Sequence, residues 1–66
     1  MKQDRTPQAI GTAVRKARKD AGLRQDELAG AAGVGTRFVV ELEAGKPTIQ
    51  LGKTLQVMNA LGIMFE

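Results

Sequence analysis

The stretch "GAAGVGTRFVVELEAGKP", residues 30–47, sets four glycines around a short apolar run and closes on Gly-Lys-Pro. A flexible linker would be poorer in valine, leucine and phenylalanine. A phosphate-binding loop would place Ser or Thr after Gly-Lys and follow a strand, whereas Pro47 follows Lys46 here. The glycines read instead as punctuation around a helix: Gly33 for a turn, Gly35 as a cap, Gly45 as a stop. Between them about Thr36–Ala44 is predicted helical, with Val39 and Leu42 facing inward.

On the N-terminal side a helix opens near Gln25. Asp26 and Glu27 occupy its first turn, where negative charge suits the dipole, and Leu28, Ala29 and Ala32 form its buried side. Arg24 stands where a Ser, Thr or Asp cap is expected, so this end reads as weakly capped. Two short helices joined by a glycine-containing turn of about three residues make a helix-turn-helix arrangement, here about residues 25–44. Crossing two helices near a right angle needs a small residue where they approach, met by Ala29. It also needs a residue able to adopt positive φ four positions later, met by Gly33, and apolar anchors, met by Val34, Val39 and Leu42. These five positions agree jointly.

Further upstream, Thr6-Pro7 reads as a helix start, and Ile10, Val14, Ala17 and Ala21 lie on one face. Arg18 and Lys19 suit that helix's end, and Gly22 stops it ahead of the apolar Leu23. Downstream, Lys46-Pro47-Thr48 is a turn. A fourth helix is predicted over about Leu51–Leu61, burying Leu51, Leu55, Met58 and Leu61 before Gly62. Ile63, Met64 and Phe65 follow that stop, too few for a helix and too apolar to be left in water. Read as a strand over about 62–66, they place Ile63 and Phe65 on one side, Met64 and Glu66 on the other. A lone strand needs a partner, and a second copy of the chain offers an identical one. An antiparallel intermolecular pair is therefore expected. The alternatives are a tail packed on its own helices, with a dimer formed through the fourth helix or only on DNA.

Length and composition bound the rest. A chain of 66 residues is read as one domain, 1–66, with a thin core that buries only about 60% of the unfolded surface. It has neither cysteine nor histidine, so disulfides and thiolate or imidazole metal sites are excluded. The charge is +3, with Arg15, Lys16, Arg18 and Lys19 clustered. That excess allows a nucleic acid or an anionic surface as partner, although Lys16 reads equally as a solvated helix face. No run approaches membrane-spanning length, and the start lacks the apolar core of a signal peptide, so a cytoplasmic location is expected. Scattered carboxylates without histidine, cysteine or tyrosine do not point to catalysis, a cofactor or a small-molecule substrate.

The stretch "LRQDELAGAAGVGTRFVVELEAGKP" resembles the DNA-binding core of the Cro/phage-repressor (XRE-type) helix-turn-helix family. It carries Gln25, Leu28-Ala29, Gly33-Val34, Leu42-Glu43 and Gly45-Lys46 where that family shows Gln-x-x-Leu-Ala, Gly-Val and Leu/Ile-Glu-x-Gly-Lys. The likeness spans roughly residues 8–63, and "GKPTIQLGKTLQVMNALGIMFE" is most similar to HipB-type antitoxins. Two positions depart from it: Arg24, and Gly35, where a serine or threonine commonly caps the recognition helix.

The resemblance implies an all-α, four- to five-helix lambda-repressor-like fold with a short C-terminal strand. It implies a homodimer on double-stranded operator DNA, repressing its own toxin–antitoxin operon and binding a cognate toxin such as a HipA-like kinase. The third helix would lie in the major groove. Thr36, Arg37, Phe38, Val40 and Glu41 would form the reading face, with Arg37 suited to guanine and Glu41 to cytosine. Arg24, Gln25, Gly35 and Lys46 would lie along the phosphates. Phe38 can equally pack against the second helix, touch a thymine methyl or meet a protein. Glu43 would pair with Arg18 between the first and third helices. Ile63, Met64 and Phe65 would serve dimerisation. The competing class is a protein-interaction module whose helices bind a partner, with DNA binding incidental.

Overall fold

The computed structural model describes residues 6–47 and 50–63, which form α1 (Pro7–Asp20), α2 (Gln25–Ala32), α3 (Thr36–Glu43) and α4 (Leu51–Ala60). The fold is all-α, with no strand among the described residues. At the start of α1 the Thr6 hydroxyl accepts the Ala9 amide at 3.0 Å, and Pro7 follows where its missing N–H costs nothing. The α2 start is better held than its arginine suggests. Arg24 has no side-chain oxygen to offer, but Glu27 reaches back and its carboxylate accepts the Arg24 amide at 2.8 Å.

All four helices end in the same way. At α2 the Val34 amide donates to the Ala29 carbonyl at 3.0 Å and Gly33 donates to Gly30 at 3.3 Å. This doubled closure requires the left-handed backbone that Gly33 adopts at φ 75°. Gly22, Gly45 and Gly62 close α1, α3 and α4 in the same geometry. After three of these stops an apolar residue (Leu23, Val34 or Ile63) folds back half-buried onto the core. After the remaining one stands Lys46, which is exposed.

The core consists of Val14, Leu28, Ala29, Ala32, Val39, Leu42, Val57 and Met58. α3 lies against both α1 and α2, and α4 against α2. Val14, Leu28, Val39 and Val57 are fully buried, each worth about 1.5–3 kcal/mol of transfer free energy. Ala17, placed on the apolar face of α1, is half-buried, while Ala21 is an exposed C-cap.

The fourth helix departs from its expected orientation. Met58 is buried as expected, but Leu51 and Leu55 are 69% and 46% exposed; Thr54 and Val57 face inward in their place, and Leu61, the C-cap, is half-buried. A stripe read from the apolar Leu51, Leu55, Met58 and Leu61 leaves out Thr54, which is polar. Yet its hydroxyl donates to the Gln50 carbonyl at 2.9 Å, one turn back, which lets the β-branched side chain sit inside with no unpaired oxygen. The expected C-terminal strand falls largely on residues 64–66, which lie outside the described residues, and with it the placing of Met64 and Phe65. Ile63 is seen: its amide closes α4 on the Met58 carbonyl at 2.9 Å, and its side chain packs on the core of its own chain.

Gly11, unremarked in the sequence, is the close contact of α1 with α3. A Cβ there would lie 2.8 Å from the Glu43 carbonyl oxygen and would also strike that of Leu42. Gly30, by contrast, has open space where its Cβ would be. Gly11→Ala removes a helix-propensity penalty of about 1 kcal/mol but forces two helices apart, so it is expected to lower the melting temperature. Gly30→Ala, the same chemical change on exposed helix, is expected to raise stability by about 0.5–1 kcal/mol. Thermal melts of both variants check this. A Gly11→Ala protein as stable as the unaltered chain would show that the α1–α3 crossing is not tight.

Candidate nucleic-acid interface

The buried end of α3 is fixed by charge. Arg18, only 8% exposed, donates from Nε to Glu43 Oε2 at 2.6 Å and from Nη2 to Oε1 at 3.0 Å. Its Nη1 donates to the Leu23 carbonyl at 2.9 Å. Gln25, from the first turn of α2, adds an amide donor to Glu43 Oε1 at 3.1 Å. One carboxylate thus gathers α1, α2 and α3. The hydrogen bond from Arg18 to Glu43 raises the already high pKa of the guanidinium, against the opposing effect of burial.

On the outer side of α3, Thr36, Arg37 and Val40 are exposed and Glu41 is half-buried. Arg37, with an 89% exposed side chain, donates from Nε to Glu41 Oε2 at 3.2 Å. The Lys46 amine reaches the same oxygen at 3.3 Å, and the Lys46 amide donates to the Glu41 carbonyl at 3.1 Å as part of the Gly45 closure. The hydrogen bond from Arg37, then that from Lys46, holds the Glu41 carboxyl below its ordinary value. Arg24 is tied to its own helix start, with Nε 3.1 Å from Asp26 and Nη2 3.8 Å from Glu27. The hydrogen bond from Arg24 lowers the Asp26 carboxyl in turn.

The structure therefore brings Arg37, Glu41 and Lys46 together along one edge of α3. It sets Gln25 beside the C-terminal end of that helix through Glu43. Phe38 is half-buried against the core and turned toward α4, where the Lys53 amine stands 5.9 Å from its ring centroid. Gly35 caps α3 without a side-chain hydrogen bond. Lys16 is paired with Asp20 at 2.9 Å on the exposed face of α1. The link of Lys46 to Glu41 escaped sequence reading because it spans a turn; the i, i+4 spacing of Arg37 and Glu41 was a usable signal. The Gln56 amide, which donates to the last carbonyl of α2 at Ala32 at 3.4 Å, carried none.

Two short helices crossing over a left-handed glycine, the second presenting an exposed, charged edge, define a helix-turn-helix. The helix-turn-helix family model matches residues 14–64, and the chain belongs to that family. It is similar to an uncharacterized HTH-type transcriptional regulator, y4mF, of Sinorhizobium fredii (strain NBRC 101917 / NGR234), at 64% identity over 61 residues, covering 92% of this chain and 80% of the relative. A solved HipB–O4 20mer complex has the same fold, with a TM-score of 0.87 over 100% of this chain and 93% of that one, at 18% identity. The protein is thus a DNA-binding transcriptional regulator of the helix-turn-helix type, a family of regulators and not of enzymes. No described helix is long and apolar enough to cross a membrane.

Glu43→Ala leaves the Arg18 guanidinium buried beside apolar neighbours and removes the acceptor of Gln25. The expected cost is about 3–5 kcal/mol, against the roughly 0–1 kcal/mol of an exposed pair such as Lys16–Asp20. Denaturant melts of Glu43→Ala and Asp20→Ala compare the two. Equal midpoints would reject the structural weight given to the buried pair.

Proposed function

We propose that the protein represses transcription as a homodimer on a two-fold operator, with α3 in the major groove and the operator upstream of its own gene. The observation that carries this reading is Arg37. It stands exposed on α3 with Nε held by Glu41, and among the described contacts Nη1 and Nη2 have no partner. A fork held at one end with its terminal donors open matches the O6 and N7 acceptors of guanine. Thr36 and Val40 flank it on the exposed side of the helix. Lys46 and Gln25, with the backbone amides at the starts of α2 and α3, suit phosphates on either side.

The dimer is the part of the reading that α4 supports. Leu51 and Leu55 lie outward: Leu55 borders an open groove of about 430 Å³ with Gly52, Gln56, Met58, Asn59 and Ile63, and Leu51 a smaller one with Pro7, Ile10 and Leu42. The helix carries one charged residue, Lys53, and that cation is directed at Phe38. An uncharged face with a small residue at Gly52 suits the close approach of a symmetry mate. A HipB-like antitoxin role, with a kinase-like toxin as second partner in the cytoplasm, rests on the sequence resemblance and on the shared fold of the HipB complex.

Footprinting the DNA upstream of the gene tests the regulatory assignment, and binding measured across salt tests the chemistry. Arg37→Ala is expected to cost about 1–3 kcal/mol on the operator and to relax preference at one base pair per half-site. Lys46→Ala is expected to weaken all sequences alike and to flatten the salt slope by about 1. Equal losses on operator and random DNA for Arg37→Ala would reject base reading. Binding insensitive to salt would favour the protein-interaction alternative.

Sedimentation checks the assembly. Replacing Leu51 and Leu55 together by lysine is expected to leave monomers at micromolar concentration, and removing residues 64–66 to weaken the dimer. A dimer indifferent to both changes would sink this arrangement.

A further inference from the structure

The reading of the Arg37–Glu41–Lys46 cluster goes one step beyond DNA binding and rests on it. Glu41 was expected to accept a hydrogen bond from cytosine, but its oxygen Oε2 is shared by two cations, Arg37 Nε at 3.2 Å and Lys46 Nζ at 3.3 Å. Its side chain is only 28% exposed, against 89% for Arg37 and 50% for Lys46. The carboxylate therefore sits below the tips of both cations, not among them. Contact through Nε restrains the guanidinium while, among the described contacts, leaving both terminal amino groups open to an end-on, two-bond approach to a base. The Glu41 backbone serves the same end, because its carbonyl accepts the Lys46 amide in the Gly45 closure.

The geometry points to Glu41 as a positioning residue that sets specificity: it pre-orients Arg37 for guanine and Lys46 for the adjoining phosphate, and does not itself read a base. An arginine this exposed, if left free, samples many rotamers and donates to any phosphate it meets. Held by one carboxylate oxygen, it loses that freedom before binding and is kept from indiscriminate phosphate contact. The acid exacts a cost in the same region, since a negative charge near DNA opposes every sequence alike. Glu41 is thus expected to lower affinity for random DNA while raising preference for the selected site.

These opposite effects make the test. The probes are a duplex recovered by the unaltered protein from a random-sequence library, its single-base variants and a scrambled duplex. The readout is the affinity ratio between them, in which any change in folded fraction cancels. Arg37→Ala is expected to lower the ratio roughly tenfold or more at one base pair. Glu41→Ala should lower it at that same pair, while binding to the scrambled duplex tightens. The double variant should then lose no more than Arg37→Ala alone, because the two residues act as one unit. Glu41→Gln, which keeps an acceptor for Nε without the charge, should fall between the unaltered protein and Glu41→Ala.

Additive losses in the double variant, or loss of preference at a different base pair in Glu41→Ala, would overturn the positioning role in favour of direct reading by Glu41. An Arg37→Ala protein with its preference intact would overturn it for another reason, because base reading by Arg37 would itself be wrong. The single arginine variant therefore separates failure of the underlying reading from failure of this one.

Discussion

The ion pair of Arg18 with Glu43 is the constraint on which the arrangement of the helices depends. Hydrophobic burial alone does not set the angle at which α3 lies across α1 and α2, because an apolar contact tolerates rotation and sliding. A two-point contact between guanidinium and carboxylate tolerates neither, and the third arginine nitrogen donates to the Leu23 carbonyl in the connection from α1 to α2. Burying both ions is expensive, so the pair is poor evidence of net stability. Its value lies in the penalty on every other packing, in which one ion would be left without its partner. Gln25 joins the same carboxylate, so the first turn of α2 is registered to the last turn of α3. The surface proposed to face DNA runs along α3 and the turn after it, from Thr36 to Lys46, and its placing follows from a contact beneath it.

That contact in turn requires α1 and α3 to approach closely, which is the role of Gly11. Its missing side chain lets the helix rest on the carbonyls of Leu42 and Glu43. The carbonyl of Glu43 and its carboxylate are thus used from the same direction, one by van der Waals contact and one by charge. A chain this small has few buried residues with which to resist distortion. Close backbone contact and one ion pair define the geometry with little volume.

The sequence was most legible where a residue type has one backbone use. Gly33 and Gly45 could be placed because the left-handed closure excludes other residues at little cost, and α2 and α3 followed with the bounds expected of them. Legibility failed where two faces of a helix compete. In α4 the apolar stripe of Leu51, Leu55, Met58 and Leu61 and the buried stripe of Thr54, Val57 and Met58 share Met58 and lie only about fifty degrees apart. Which one turns inward is decided by the neighbouring helices and by a hydroxyl that satisfies itself at the Gln50 carbonyl. Gly11 escaped notice because a glycine inside a helix gives no local sign of a close neighbour. Arg37, Glu41 and Lys46 were all singled out, but as independent contacts. Their common oxygen depends on the turn at Gly45 returning Lys46 to the side of the helix, which spacing alone does not show.

The same cluster bears on how a regulator with a net charge of +3 can still discriminate among DNA sequences. At the proposed interface the cations are matched by acids: Arg24 by Asp26 and Glu27, and Arg37 and Lys46 by Glu41. The surplus positive charge therefore lies elsewhere, in part on the outer face of α1 at Arg15 and Lys19. A surface so compensated gains little from an arbitrary phosphate backbone, because each new contact must compete with a carboxylate already in place. Affinity then depends on groups that bond DNA without giving up that partner. In the proposed role Arg37 would do so through its terminal nitrogens while Nε stays on Glu41, in contacts that require guanine to present its acceptors in the right register. Compensating the interface lowers the sequence-independent part of binding more than the sequence-dependent part, so a weakly basic chain favours selectivity over strength.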